Sequence, residues 1–232
     1  MSAIVKAVEP IVAGDRMTRD EFLQRAEGDQ NLKLAELVGG RVYIMAPVSD
    51  DHAGPDILLQ TCFATYAATT PGCAARSNAT CFMGDDAPLP DAYLRVLTEY
   101  GGGARVSKNG FLEGAPELIA EVCMTSSSYD LHDKMELYRT AGVKEYVVFL
   151  VYKRVLQWFR LTGAEYEKAA PPADRIYRSV TFPGLWIDET AVARDDGAKA
   201  LAVLNRGLKS AEHKNFVRQL AAQKKKYGNR RD

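Results

Sequence analysis

The chain has 232 residues, 47% of them hydrophobic, and its 30 basic and 30 acidic residues cancel to a formal net charge of +0. This length and hydrophobic content suit one domain with extensions, built around a full core. The balanced charge excludes an overall field that would draw the protein to nucleic acid or to a membrane, so any polyanion binding must come from a local patch.

Cysteine usage and the apolar runs bear on the compartment. The longest apolar run, residues 146–152, is far too short to span a bilayer, and residues 1–15 carry charges and a proline too early for a secretory signal. The cysteines show neither a CxxC pair nor zinc-finger spacing, and a chain of this size does not need disulfide staples. We therefore expect a soluble cytoplasmic protein with buried free thiols at Cys62, Cys73, Cys81 and Cys123.

The hydrophobic periodicity predicts a mixture of helices and strands. A capping box at Thr18 and Glu21 begins the first helix, and Gly39-Gly40 forms the tight turn of a hairpin. The predicted helices cover residues 21–25, 52–68, 130–141, 198–208 and 212–223. The predicted strands cover 35–38, 41–46, 73–83, 92–97, 117–122, 145–152 and 155–161, with an edge strand at 177–186 and a mobile loop through 101–110. This order implies the α/β class, with a central mixed β-sheet flanked by helices and a C-terminal helical extension.

Three carboxylates fall at the ends of predicted strands. Alternation along 117–122 places Glu121 on one face near the carboxyl end, Asp91 begins the strand at 92–97, and Glu36 lies on the first hairpin strand. If they converge, they form a hard-oxygen site suited to Mg²⁺ or Mn²⁺. The alternatives are a solvent-facing strand glutamate for Glu36 and a turn residue for Asp91.

Lys134 occupies the apolar face of the helix predicted over 130–141. At about 100° per residue, one face carries Leu131, Lys134, Met135, Tyr138 and Ala141. A lysine in this position either snorkels, with its stem on apolar surface and its ammonium in water, or points its ammonium into a site beside Glu121.

Three segments together resemble one known family. ELVGGRVYIMAPVSDDH, then LPDAYL, then GAPELIAEVCMTSSSYDLHDKMELYRTAGVKEYVVF are similar to the Uma-type family of restriction endonuclease-like proteins, within the PD-(D/E)XK nuclease superfamily. The resemblance runs from about residue 18 to 186 and is densest over 115–146. It implies a restriction-endonuclease-like core over residues 1–189, with residues 190–232 as a helical extension and basic tail.

The resemblance also implies a metal-dependent acidic site. Asp91 matches the aspartate of the family's PD step, Glu121 the glutamate of its EV step and Lys134 the lysine of its DLxxK helix start. Glu36 matches the hairpin glutamate, and His52 the histidine that opens the following helix. At that helix start, a histidine in the cap region is the alternative reading of His52.

Four positions depart from the family pattern. Cys123 stands two residues after the glutamate, where the superfamily usually has its lysine, so Lys134 would have to reach back from the next helix. Leu150 replaces an acid, Met124 a serine, and Glu117 an aspartate. The proposed minimal site of Asp91, Glu121 and Lys134 is intact.

Three hypotheses follow. The first is a Mg²⁺-dependent or Mn²⁺-dependent endonuclease acting on DNA. Asp91 and Glu121 would be metal ligands, and Glu36 a further ligand or a base that orients water. Lys134 would stabilise the pentacoordinate phosphate, and His52 would contact the scissile phosphate or orient a carboxylate. The second is a module on the same fold that binds nucleic acid or protein without cutting, through the C-terminal helices and basic tail. The third is a purely structural homo-oligomer. A homodimer would suit an enzyme that cuts both strands, although no motif requires one.

Overall fold

The computed structural model describes residues 9–29, 32, 34–124 and 132–228. The helices in this part of the chain are α1 (Arg19–Gly28), α2 (Asp50–Thr69), α3 (Asp133–Ala141), α4 (Glu189–Ala193), α5 (Gly197–Leu208) and α6 (Ala211–Gly228), with a 3-10 turn at Thr98–Tyr100. The strands are β1 (Ala35–Val38), β2 (Arg41–Ile44), β3 (Cys73–Ser77), β4 (Cys81–Phe82), β5 (Ala92–Val96), β6 (Arg105–Val106), β7 (Leu112–Glu113), β8 (Leu118–Cys123), β9 (Glu145–Leu150), β10 (Val155–Thr162), β11 (Glu165–Lys168), β12 (Ile176–Arg178) and β13 (Trp186–Asp188).

A six-stranded mixed sheet forms the centre of the fold, in the order β11-β10-β9-β8-β5-β3. Strands β8 and β9 run parallel, and the other neighbouring pairs are antiparallel. A parallel pair needs a crossover connection, and α3 supplies it between β8 and β9. The predicted α/β class with a mixed sheet and C-terminal helices is confirmed.

Helices and smaller sheets cover the two faces of this sheet. One core joins the sheet to α2, α4, α5 and α6, and includes Leu118, Ala120 and Val122 of β8. The other core joins it to α3 and to the small sheet β4-β7-β6, and includes Ile119 and Cys123. The alternation predicted along β8 is therefore confirmed, and Glu121 lies on the face that α3 covers.

The hairpin β1-β2 packs at the side of this core with α1. Thr18 caps α1 by accepting a hydrogen bond from the backbone N–H of Glu21, as predicted. Gly39 and Gly40 have φ of 60° and 68°, which a two-residue turn of this hand requires. Leu37 exchanges backbone hydrogen bonds with Ala87, so β1 is anchored beside the segment that leads into β5.

Several predicted element bounds were wrong. The strand predicted over 73–83 is two strands in different sheets, interrupted at Asn78, which has a φ of 47°. The loop predicted through 101–110 contains β6, which pairs with β7, and the edge strand predicted at 177–186 is the hairpin β12-β13. The edge strands of the central sheet are β11 and β3, and the mostly exposed Glu-Tyr-Glu-Lys sequence of β11 gave no apolar pattern. The short α4 was not predicted.

Other predictions concern the thiols, the membrane and the start of α3. All four cysteines are buried and free, as expected. No helix in the described ranges combines the length and the hydrophobicity that crossing a membrane requires. The predicted helix start at 130 and the face position of Leu131 lie outside the described residues.

Candidate active site

Strands β5 and β8 bring Asp91 and Glu121 together. Ala92 pairs with Ala120, so the antiparallel register places Asp91, just before β5, opposite Glu121. The Asp91 carboxylate accepts a hydrogen bond from the backbone N–H of Val122 at 2.7 Å, and Glu121 Oε2 accepts one from the backbone N–H of Asp91 at 3.4 Å. Backbone N–H groups of Val122 and Asp91 therefore hold the two carboxylates at the same end of the sheet.

Lys134 points inward from α3. Its side chain is 2% exposed, and Nζ lies 2.9 Å from Glu121 Oε1 and 3.1 Å from Glu36 Oε2. Helix α3 ends at Gly142, which has a φ of 88°, and this cap fixes the short helix against the sheet. The ammonium is enclosed between two carboxylates, so the snorkelling alternative is excluded.

Tyr138 is the residue of this cluster to which the sequence analysis gave no role. One helical turn after Lys134, its buried hydroxyl donates to the same Glu121 Oε1 at 2.7 Å. Burial, and then the Glu121 charge, raise the pKa of Tyr138 well above its usual value, so the hydroxyl stays a donor. The spacing of i and i+4 on one apolar face was the available signal, since such positions are neighbours on a helix.

Glu36 reaches the cluster from β1. It is fully buried, and Oε2 also accepts a hydrogen bond from the backbone N–H of Leu89 at 2.9 Å. Burial raises the pKa of Glu36 to about 7, although the Lys134 charge opposes the rise. Glu36 is therefore a core group and not the solvent-facing strand residue of the alternative.

His52 lies in the first turn of α2, next to the end of β8. Its Nε2 is 2.6 Å from the backbone carbonyl of Val122, and because a carbonyl only accepts, Nε2 carries the proton. Nδ1 is buried and has no hydrogen-bond partner among the residues that the structure describes. The structure thus joins His52 to the backbone next to Glu121, whereas the sequence analysis had considered a contact to a carboxylate.

All five predicted site residues line one cleft of about 560 Å³. Its lining includes Glu36, His52, Asp91, Glu121 and Lys134, together with Cys123 and Met124 at the end of β8. The sequence analysis drew these positions from three separate segments, and the structure places them around one concave surface.

The carboxylate oxygens that line this cleft are the kind of ligand that a hard divalent cation binds. Mg²⁺ is commonly held by one or two carboxylates and completes its coordination with water and phosphate oxygens, and Asp91 and Glu121 can supply the two carboxylates. Within the described ranges, no group of three His, Cys, Asp or Glu side chains is arranged to hold a metal ion. Glu36 Oε2 and Glu121 Oε1 both contact the Lys134 ammonium.

The mixed sheet with flanking helices is a fold of the restriction-endonuclease-like type. The model of the Uma2 family, described as "Putative restriction endonuclease", matches residues 19–192. The chain belongs to this family. None of the curated proteins compared with the chain matches it.

A solved structure supports the fold independently. The chain is similar to a crystal structure from Anabaena variabilis ATCC 29413, described as "a putative nuclease belonging to DUF820", with a TM-score of 0.60 and 14% sequence identity. The match covers 77% of this chain and 98% of that chain. At this identity the likeness concerns the fold alone.

Proposed function

We propose that this protein is a metal-dependent endonuclease that hydrolyses phosphodiester bonds in DNA, with Mg²⁺ or Mn²⁺ as its cofactor. The observation that carries the proposal is the ammonium of Lys134, held between Glu121 and Glu36 at a cleft that Asp91 also lines. A buried ion pair is weak evidence for stability, because desolvation offsets much of the attraction. Perturbed ionisable groups that line a cleft are typical of functional sites.

Asp91 and Glu121 are the proposed metal ligands. A cation bound there would activate water and neutralise charge on the phosphate. The two carboxylates need no large movement for this role, because each is already fixed by a backbone N–H of the other strand. In this proposal residues 1–189 carry the nuclease activity, and residues 190–232 form the C-terminal extension.

Lys134 and Glu36 are the proposed charge-stabilising and proton-accepting groups. The Lys134 ammonium stabilises negative charge as the water oxygen bonds to phosphorus and the ester bond breaks. Glu36, with a pKa of about 7, is suited to accept the proton of that water near neutral pH, and it remains a third candidate ligand. His52 positions the end of β8 through Val122 and lines the cleft where the phosphate would lie.

The proposed location is the cytoplasm, where the buried thiols would stay reduced. A homodimer belongs to the proposal for cleavage of both strands of a duplex, because two-fold symmetry brings one site to each strand. Sedimentation velocity of the purified protein tests the dimer directly.

A second candidate function is binding without cleavage on the same fold. It is favoured by the missing three-side-chain metal cluster in the described ranges and by Leu150, which stands where the family has an acid. The contact surface would be the basic end of α6, at Lys224, Lys225 and Lys226. Such binding weakens steeply with salt, since phosphate contacts release counterions.

Cleavage assays separate the two functions. The purified protein is incubated with supercoiled plasmid, single-stranded DNA and RNA, in Mg²⁺, Mn²⁺ or chelator. We expect metal-dependent cleavage of DNA that is lost in Glu121→Gln and in Lys134→Ala. The matched controls Glu27→Gln and Lys144→Ala change exposed residues of the same types and should cut like the parent.

The outcomes are distinct. Cleavage that persists in chelator or in Glu121→Gln would contradict the proposed site. If no substrate is cut although all variants are folded, the endonuclease proposal is contradicted and the binding function remains.

A further inference from the structure

The formal net charge of +0 conceals a separation of charge along the chain. Residues 197–228, which contain α5 and α6, carry eight lysines or arginines and a single acidic residue, Glu212. Residues 1–196 carry 20 basic and 28 acidic residues, so this larger part is negative at neutral pH. A basic segment joined to an acidic domain is typical of proteins that contact a polyanion through that segment.

Helix α6 presents three of these cations on one outward side. Lys214, Arg218 and Lys225 are exposed, and their spacing of i, i+4 and i+11 places them within about 40° of one another around the helix. His213 and Leu220, on the other side of α6, are buried. Among the residues that the structure describes, no carboxylate forms an ion pair with any of the three cations. We call Lys214, Arg218 and Lys225 the basic stripe.

The basic stripe lies far from the acidic cleft. Near the start of α6, His213 Nε2 is 2.9 Å from the hydroxyl of Thr70, which follows the end of α2. Near the end of α6, Lys224 Nζ lies 5.1 Å from the centre of the Tyr100 ring, beyond the end of β5. The cleft is at the opposite end of both elements, and α2 alone covers about 27 Å from His52 to Thr70 at 1.5 Å per residue. The two surfaces therefore occupy different ends of the molecule.

The cleft itself offers little attraction to a polyanion. Among its described lining residues Lys134 is the single lysine or arginine, and its ammonium already contacts Glu36 and Glu121. Asp56 and Asp91 add further negative charge to the lining. Because DNA is held chiefly through its phosphates by basic groups, a nuclease with this cleft needs cations elsewhere to hold its substrate.

The apolar residues of α6 favour DNA over a membrane as the partner. Phe216 and Leu220 pack against the core, whereas a helix that lies on a membrane buries an exposed apolar face in the lipid. The basic stripe is about 16 Å long, from 11 residues at 1.5 Å each, which matches about five base pairs of a duplex at 3.4 Å per pair. Its charge and length thus fit a run of phosphates.

We propose that the basic stripe binds the phosphate backbone of duplex DNA and anchors the substrate while another part of the same DNA molecule reaches the cleft, an inference that rests on the proposed nuclease function. The contact is independent of sequence, since phosphates carry no sequence information. Anchoring raises the effective concentration of the scissile phosphate at the cleft, because binding at the second site becomes intramolecular. The basic stripe therefore lowers the KM for long DNA and leaves kcat unchanged.

Fluorescence anisotropy in chelator tests the basic stripe without cleavage. The label is on a DNA duplex of about 40 base pairs, roughly 140 Å long at 3.4 Å per pair, which is enough to reach both surfaces. The stripe variant combines Lys214→Gln, Arg218→Gln and Lys225→Gln; glutamine is as good a helix former as lysine, so α6 should persist in circular dichroism. We expect weaker binding, and a slope of log affinity against log salt that is shallower by about 2.7, or about 0.9 for each lost phosphate contact.

A matched control removes the same amount of charge elsewhere. Its three exposed lysines lie outside α5 and α6, and the control variant combines Lys108→Gln, Lys144→Gln and Lys168→Gln. We expect the control variant to keep the affinity and the salt slope of the parent. In plasmid cleavage with metal, the stripe variant should raise KM and keep kcat, and the control variant should change neither.

Three results would overturn the inference. These are unchanged affinity and salt slope in the stripe variant, equal losses in the stripe and control variants, and binding of the parent to phosphatidylserine vesicles but not to DNA. Failure of the nuclease proposal is seen separately, because Glu121→Gln leaves the basic stripe intact and should bind DNA like the parent. DNA binding that depends on the basic stripe therefore supports the anchor even if no substrate is cut, and cleavage with unaffected stripe variants would leave the nuclease and contradict the anchor.

Discussion

Two buried glutamates on neighbouring parallel strands differ in what surrounds them. Glu145, at the start of β9, is fully buried and accepts hydrogen bonds from Trp158 Nε1 at 3.1 Å, from the backbone N–H groups of Val180 and Thr181, and from the Ser179 hydroxyl. Glu121, near the end of β8, is 2% exposed but lines a cleft, and its Oε1 accepts from Lys134 and Tyr138.

The difference separates a structural carboxylate from a candidate functional one. The donors around Glu145 are mainly fixed backbone and ring N–H groups, which tie β9 to β10 and to the turn before β13. One partly exposed cation, Arg160, also lies 3.5 Å from Glu145 Oε1. The two side-chain donors on Glu121 come from a neighbouring helix and share Oε1, while Oε2 accepts from the backbone N–H of Asp91 and two further carboxylates lie nearby. Burial alone therefore does not identify a site, and convergence of ionisable side chains at a cleft is the more informative property.

The largest expected effect comes from replacing the carboxylate with an amide at Glu121 and, for comparison, at Glu145. Glu121→Gln should reduce metal-dependent cleavage by about three to four orders of magnitude, because it removes several kcal/mol of transition-state stabilisation. Glu145→Gln should keep the cleavage rate per folded molecule and lower the free energy of unfolding by about 3 kcal/mol, because the new NH₂ group faces donors. Cleavage rates and chemical denaturation of both variants measure this. Equal loss of cleavage in the two variants would break the distinction.

Removing the cation between the carboxylates is expected to have the next largest effect. Lys134→Met leaves Glu36 and Glu121 buried beside each other, and breaking a buried ion pair from one side costs roughly 3–5 kcal/mol. The double variant Lys134→Met with Glu36→Gln should recover part of this loss, because it removes one of the two carboxylate charges that are left without a cation. Chemical denaturation at pH 8 of the two single variants and the double variant measures this double-mutant cycle, with Lys144→Met as the exposed control. Additive changes in the free energy of unfolding would mean that Lys134 and Glu36 are not coupled.

Local patterns predicted much of the central fold. The capping box, the Gly-Gly hairpin and the alternation in β8 are all set by near neighbours in sequence, and the structure bears each of them out. The errors arose where pairing is set by distant segments. The chain turns at Asn78 because β4 pairs with β7, some 30 residues away, and the polar β11 is a strand because β10 pairs with it.

The candidate site divides in the same way. Lys134 was recognisable because a lysine breaks an apolar helical face, and family likeness selected Asp91, Glu121, Glu36 and His52. The hydroxyl of Tyr138 was hidden, because a tyrosine on an apolar face reads as core. Likewise, hydrophobic patterning does not distinguish Glu145 from Glu121, since both precede an apolar residue in a buried strand, and only the family likeness selected Glu121.

The pH dependence of stability gives a smaller but sharper test of the site. The pKa of Glu36 is about 7 in the folded protein and 4.5 as its ordinary value, so the folded state keeps a proton that the unfolded chain releases. The Glu36 contribution to stability is therefore fully present below pH 4.5 and is lost as pH rises through 7. At about 1.4 kcal/mol per pKa unit, the rise from 4.5 to about 7 corresponds to a loss of roughly 3 to 4 kcal/mol.

Denaturation between pH 5 and 8, in chelator, measures this decline. Glu36→Gln carries no titrating proton and should flatten it, while the exposed Glu27→Gln should follow the parent. The prediction would be contradicted if the free energy of unfolding of the parent did not decline over this range, or if it declined equally in Glu36→Gln. Glu36 would then be ionised throughout, like an ordinary paired carboxylate.

The smallest expected effect tests whether the hydroxyl of Tyr138 positions Glu121. Tyr138→Phe removes the 2.7 Å hydrogen bond to Oε1 and keeps the ring that packs on Tyr146. Without this hydrogen bond, only Lys134 contacts Oε1 of Glu121 among the contacts described above. We expect Mn²⁺ affinity in titration calorimetry to fall about tenfold, as for loss of a partner that orients a metal ligand.

Tyr166→Phe is the matched control, because it removes a 2.8 Å hydrogen bond to the Val143 carbonyl within the same core. Both variants should lose about 1 kcal/mol of stability, since each loses one buried hydrogen bond. Only Tyr138→Phe should change metal affinity, and equal affinities in the two variants would assign Tyr138 a structural role like that of the groups around Glu145.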